Sequence, residues 1–184
     1  MPGIFFITIT CYNWLNLFEI ANAYQCVFNL FDALRKDGNK IVAFVIMPNH
    51  LHTLIYFTNT QKSVNQYVGT GKRFMAYTIV KLHTEQQNTQ ILSKLKSGVN
   101  VTKKSINKKH QVFEPSFDCK KCFSNPFTLQ KLNYIHTNSI RGKWMLVERP
   151  CDYKYSSALQ YETGKISSYP ITLLSEINAF DFSL

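Results

Sequence analysis

Two histidines separated by one leucine, His50-Leu51-His52, stand inside the apolar run AFVIMPNHLHTLIYF. Side chains on a strand alternate between faces, so both imidazoles project one way while Leu51 projects the other. Paired neutral imidazoles on one strand face are metal-ligand geometry. The same spacing also suits two hydrogen-bonded structural histidines. A second polar group is spaced by helical turns: Gln130, Tyr134, Asn138 and Arg141 follow one another at steps of four, four and three. Such steps place side chains along one stripe of a helix. A tyrosine hydroxyl, with a pKa of about 10, is a poor nucleophile near neutrality. It becomes useful when a metal polarises a phosphoryl electrophile. Asn138, one turn beyond Tyr134, offers a carbonyl oxygen as a third ligand. Alternatively, Tyr134 is a core tyrosine with its hydroxyl at the surface, a common role in a chain with ten tyrosines.

The elements that must carry these groups follow from periodicity. GIFFITITCYN reads as a strand with Thr8 and Thr10 on one face and Ile7 and Ile9 on the other. Phe18, Val27, Leu30, Phe31 and Leu34 recur at helical spacing, which predicts one helix over Leu17–Lys36, ended by KDGNK. IVAFVIM is apolar on both faces and reads as a central strand; Pro48-Asn49 turns the chain into the strand HLHTLIYF. The segment after it is helical on both sides of a break or bend at Gly69-Thr70-Gly71. KSGVNVTKKSINKKH is a lysine-rich loop or hairpin. The helix bearing Tyr134 is expected to start with Asn125 as cap and Pro126 in its first turn and to end near Gly142, with Leu129, Leu132 and Ile135 against the sheet. Together these elements predict an α+β fold, an antiparallel sheet with helices packed on it.

Composition narrows the class of partner. The 184 residues are 45% apolar and 14% aromatic, which makes a globular chain, most simply one domain. No early run has the length and apolarity of a membrane span or the basic start of a signal peptide, so no membrane role is expected. Five cysteines, an odd count without a regular framework, fit reduced thiols and a cytoplasmic location. Twenty-one basic against eleven acidic residues give a net charge of +10. That excess favours a polyanionic partner, most commonly nucleic acid.

The blocks FVIMPNHLHTLI and LQKLNYIHTNSIRGKWMLVERPCDYKYSS, with VGTGKRFMAYTIVKL between them, resemble the REP-associated tyrosine transposases of the single-tyrosine HUH superfamily. The resemblance runs from the first strand to Gly164. It implies a transposase domain over residues 1–164 and an extension, 165–184, that docks on it or contacts another copy. It further implies a ferredoxin-like (RRM-like) fold acting on single-stranded DNA, with His50, His52 and Asn138 binding Mg²⁺ or Mn²⁺ and Tyr134 as nucleophile. Attack on a DNA phosphodiester would leave a 5′-phosphotyrosine and a free 3′-hydroxyl, typically at palindromes folded as hairpins. The family includes monomers and homodimers. It usually reads Asn-Pro where this chain has Asn138-Ser139, so no proline sets the helix end here.

Lys72, Arg73, Lys103, Lys104, Lys108, Lys109 and Arg141 are the candidate DNA contacts, although lysine runs are more often solvated surface. Tyr77 is a candidate for base stacking, and Phe74 reads as helix core. Cys119 and Cys122 form a CxxC without two further ligands, an incidental pair. Glu114 and Asp118 can position DNA or water but do not read as catalysts, and His83 and His136 read as structural. Two rival functions remain: a non-catalytic nucleic-acid-binding protein of the same fold, and a metal-dependent phosphodiesterase that uses water.

Overall fold

A computed structural model of the chain describes residues 2–58, 62–99 and 108–177. Strand β1 (Gly3–Thr10) pairs antiparallel with β3 (His50–Phe57) on one side and with β4 (Asp118–Cys122) on the other. Strand β2 (Lys40–Met47) pairs antiparallel with β3, giving the order β2-β3-β1-β4. This is the ferredoxin-like arrangement, in which the helix after β1 carries the chain past the place that β3 fills on its return. The antiparallel α+β architecture expected from the sequence is present. β4 has no counterpart in the sequence reading, because Asp-Cys-Lys-Lys-Cys lacks an apolar alternation; it is a short, charged edge strand.

Six α-helices accompany the sheet among the described residues: α1 (Leu17–Ile20), α2 (Gln25–Lys36), α3 (Val64–Glu85), α4 (Thr89–Ser97), α5 (Asn125–Thr137) and α6 (Ala158–Thr163). The alternation of β1 sorts the layers. Ile7 and Ile9 face α1–α4 in a core with Val27, Phe31, Met75, Ile79 and Leu95. Ile4 and Phe6 face the other way, in a second core with Val45, Leu54 and Ile135 of α5. Thr8 and Thr10 share this second face.

Several helix boundaries depart from expectation. The segment Leu17–Lys36 is two helices, because Asn22 turns left-handed (φ 50°) between α1 and α2. α3 runs unbroken through Gly69 and Gly71, held at its start by a capping box between Ser63 and Gln66. Gly71 lets α2 approach, since a Cβ there would stand 2.6 Å from Leu30 Cδ1. The N-cap of α5 is Ser124 rather than Asn125, its hydroxyl accepting from Phe127 N–H. α5 stops at Thr137, well short of Gly142, and tightens into a 3-10 turn at Asn138–Ile140. Leu129 is exposed, so the inward face is made by Thr128, Leu132 and Ile135.

The outer edge of β2 is covered by later chain. Ile46 N–H donates to Tyr155 O, Ser157 N–H to Phe44 O, and Thr172 N–H to Ile41 O. Past Gly164, Tyr169 stacks on Phe28 at 5.3 Å, while Leu174 and Ile177 are buried in the second core.

Candidate active site

His50 and His52 open β3, where the register sets Thr10 and Thr8 of β1 opposite them on one flank and Met47 and Val45 of β2 on the other. Both rings therefore share the second face of the sheet, with centroids 4.6 Å apart, and both are buried. Their Nδ1 atoms are occupied. Asn49 Nδ2 donates to Trp14 O at 2.9 Å, which orients the amide so that its Oδ1 accepts from His50 Nδ1 at 2.6 Å. Thr8 Oγ1 lies 2.8 Å from His52 Nδ1. The amide acceptor gives His50 the Nδ1–H tautomer, whose Nε2 keeps its lone pair for another partner, whereas the Thr8 hydroxyl can either donate to or accept from His52 Nδ1. Burial pushes the His50 pKa down to about 4, despite an opposing contact with the Asn138 side chain. Burial, then the charges of His50 and Lys131, push that of His52 down to about 3. Both rings are neutral at physiological pH, the form that binds metal.

α5 crosses this face and supplies the remaining groups. Tyr134 Oη is 3.4 Å from His52 Nε2, and the Tyr134 ring meets His52 at 5.0 Å and Phe6 at 6.0 Å. Tyr134 is 40% exposed, so its side chain reaches the buried imidazoles from the surface. Asn138, at the end of α5, brings its buried side chain to His50, and its Oδ1 makes no hydrogen bond of normal geometry. A carbonyl oxygen beside two neutral imidazoles has the chemistry of a divalent-cation ligand set. Among the described residues no three His, Cys, Asp or Glu side chains converge on one point, so any donor set here would be two imidazoles and one amide. That set fits a divalent cation that keeps open positions for substrate oxygen.

Reading the sequence missed Lys131. One turn before Tyr134, its ammonium sits 5.8 Å from the Tyr134 ring, 5.1 Å from Phe6 and 5.0 Å from Phe127. Helical spacing was the available signal. Trp14 and Trp144 were missed as well; they reach His50 at 5.8 and 6.1 Å from a short 3-10 turn (Tyr12–Trp14) and a loop, and segments so short carry no periodicity.

The other predicted residues lie elsewhere. Arg141 is exposed just beyond the 3-10 turn. Lys72, Arg73, Lys108 and Lys109 line a groove of about 660 Å³ between α3 and residues 108–115, on the opposite layer from Tyr134. Lys72 is committed internally, donating to the carbonyls of Glu114, Pro115 and Ser116. Arg73 is exposed, with its guanidinium 5.2 Å from the Phe74 ring. Phe74 and Tyr77 are 59% and 64% exposed, so Phe74 is a surface residue rather than core. Lys103 and Lys104 lie outside the described residues. Cys119 and Cys122, three apart on a strand, belong to opposite cores and cannot chelate one ion. His136 is structural, with Nε2 3.0 Å from Ser157 Oγ.

No family model matches the sequence, and no curated protein does. Among solved structures, the chain is similar to a REP-associated tyrosine transposase bound to a REP hairpin, at 17% identity and a TM-score of 0.58, over 98% of this chain and 89% of that one. A chain described as a candidate transposase from Deinococcus radiodurans R1 aligns with 73% of this chain and 89% of its own, at 18% identity and a TM-score of 0.44. A sheet ordered β2-β3-β1-β4, with α5 laid across the face that bears His50 and His52, thus has the fold of the REP-associated tyrosine transposase.

Proposed function

We infer that this chain nicks and rejoins single-stranded DNA through Tyr134. The observation that carries the reading is the 3.4 Å approach of the Tyr134 hydroxyl to His52 Nε2, from an element remote in sequence. Support comes from the net charge of +10 and from a fold shared with a transposase that was solved on hairpin DNA. A hairpin or palindromic target is the corresponding proposal for this chain.

His50, His52 and Asn138 would hold a divalent cation, Mg²⁺ or Mn²⁺. When bound, such an ion withdraws charge from a phosphate oxygen and eases attack at phosphorus. Tyr134 Oη forms the new bond to phosphorus while the bond to O3′ breaks. The phenolic proton passes from Oη to water, and the departing 3′ oxygen takes up a proton. The product is a 5′-phosphotyrosine and a free 3′-hydroxyl. Because one phosphoester replaces another, a second 3′-hydroxyl can reverse the step and join strands. Lys131 sets a positive charge beside the phosphate throughout. Thr8 and Asn49 hold the two imidazoles in register.

The test is incubation of hairpin-containing single-stranded DNA with protein and Mn²⁺, followed by denaturing electrophoresis. A covalent adduct is expected from the native chain and none from Tyr134→Phe. His50→Ala and His52→Ala are expected to lose cleavage while retaining DNA binding. An adduct that persists in Tyr134→Phe moves the nucleophile elsewhere. Free 5′-phosphate ends without a protein link indicate attack by water. Salt-sensitive binding with no cleavage under any divalent ion leaves a non-catalytic binder.

A further inference from the structure

Trp14 is one of two tryptophans in the chain, and 58% of its surface is open to solvent. Large indoles are normally well buried on average, so an exposed one at a candidate active site calls for a covering partner. Its placement is also conformationally unfavourable. Asn13 (φ 49°) and Trp14 (φ 55°) are consecutive left-handed residues, a region that strains side chains other than glycine.

Dedicated bonds hold that strained turn. Asn13 N–H donates to Glu114 Oε1 at 2.8 Å, and Trp14 N–H donates to Cys11 O at 3.0 Å. Asn49 then joins the turn to the site, donating to Trp14 O while accepting from His50 Nδ1. One amide thus ties the Trp14 backbone to the His50 imidazole, and the indole and imidazole centroids lie 5.8 Å apart. The surroundings are cationic: Lys143 stands 5.2 Å from the Trp144 ring, beyond His50, and Lys131 stands beside Tyr134. An exposed aromatic plate on an anchored backbone turn, with lysines nearby, suits a flat ring attached to a phosphate chain. An apolar peptide would gain nothing from those charges.

We propose that Trp14 is the stacking platform for the nucleobase adjoining the phosphate held at His50 and Tyr134. This assignment rests on the single-strand DNA reading above. Every base has a face to offer, so the contact tolerates sequence while it fixes the strand's register at the reacting phosphate. Asn49 links the turn that carries the platform to the His50 ring.

Indole emission tests this without a cognate target. The double variant Tyr134→Phe, Trp144→Phe leaves Trp14 as the sole tryptophan and removes the proposed chemistry. Titration with oligodeoxyadenylate is expected to quench its emission saturably, and an abasic oligomer of the same length and charge is expected to bind without quenching. Trp14→Ala should weaken oligodeoxyadenylate binding roughly ten-fold, and Trp14→Phe should restore most of it. Circular dichroism of both single variants separates binding loss from unfolding. Equal quenching by the abasic oligomer, unchanged emission at saturation, or native affinity in a folded Trp14→Ala overturns the proposal. Because quenching is read in a chain lacking Tyr134, a failure of the cleavage reading leaves the stacking result standing, and the reverse holds.

Discussion

With Nδ1 of His50 committed to Asn49, only Nε2 is left to meet a ligand, and burial keeps that nitrogen unprotonated. The same burial makes stability depend on pH. His50 and His136 have pKa values pushed down to about 4 and His52 to about 3, chiefly by burial, whereas each titrates near 6.5 when unfolded. Between pH 6.5 and 4 the unfolded chain therefore binds more protons than the native one. The contribution of these rings to stability is fully present above the unfolded value of 6.5 and is lost as the pH drops, by up to about 1.4 kcal/mol per pH unit for each histidine. Urea unfolding of metal-free protein at pH 7.5 and pH 5 is expected to show the loss, and His136→Asn should make the dependence shallower. A flat profile across that window would mean that these rings titrate normally in the fold.

The helices differ in what their glycines do. A Cβ at Gly69 meets nothing within 4 Å, while one at Gly71 runs into Leu30 of α2. Both lie inside α3, where glycine weakens a helix by about 1 kcal/mol relative to alanine. Gly69→Ala is thus expected to stabilise the protein by roughly 0.5–1 kcal/mol, seen as a higher thermal midpoint. Gly71→Val should lower it, by about 1–3 kcal/mol, through overpacking against α2. Equal effects at both sites would show that α2 and α3 are not in close contact. Reading the sequence placed a break at these two glycines because propensity reports only the local chain. The capping box and the packing of Tyr67, Val68, Met75 and Ile79 carry the helix through. α5 shows the converse: its polar stripe was legible up to Asn138 but not its early end, where the chain tightens into a 3-10 turn and leaves Arg141 extended.

Across the whole molecule the positive charge is divided. Arg73, Lys108 and Lys109 line the groove on the α3 layer, and Lys131 and Lys143 surround the site on the α5 layer. Lys120 and Lys121 lie on the edge strand β4 between the two layers, with Phe123 exposed beside them. A strand that follows this charge would pass around the β4 edge. On that path, replacing Arg73, Lys108 and Lys109 by alanine should lower the slope of log K against log salt by about 2, near 0.7 per lost single-strand contact. Adduct formation at Tyr134 is expected to survive at saturating DNA. An unchanged salt slope would show that nucleic acid does not reach the groove.

Periodicity alone determined which side chains share a face: His50 with His52, Thr8 with Thr10, and Tyr134 with Asn138. Alternation along a strand and the turn of a helix are properties of the local backbone. Only the tertiary structure decided which faces meet. The Tyr134–His52 contact joins residues 82 apart, the Asn49 bridge joins a strand turn to a strained loop, and Lys72 closes on carbonyls of a remote segment. Those pairings depend on how sheet and helices close over their cores, a condition set jointly by residues that no local window contains.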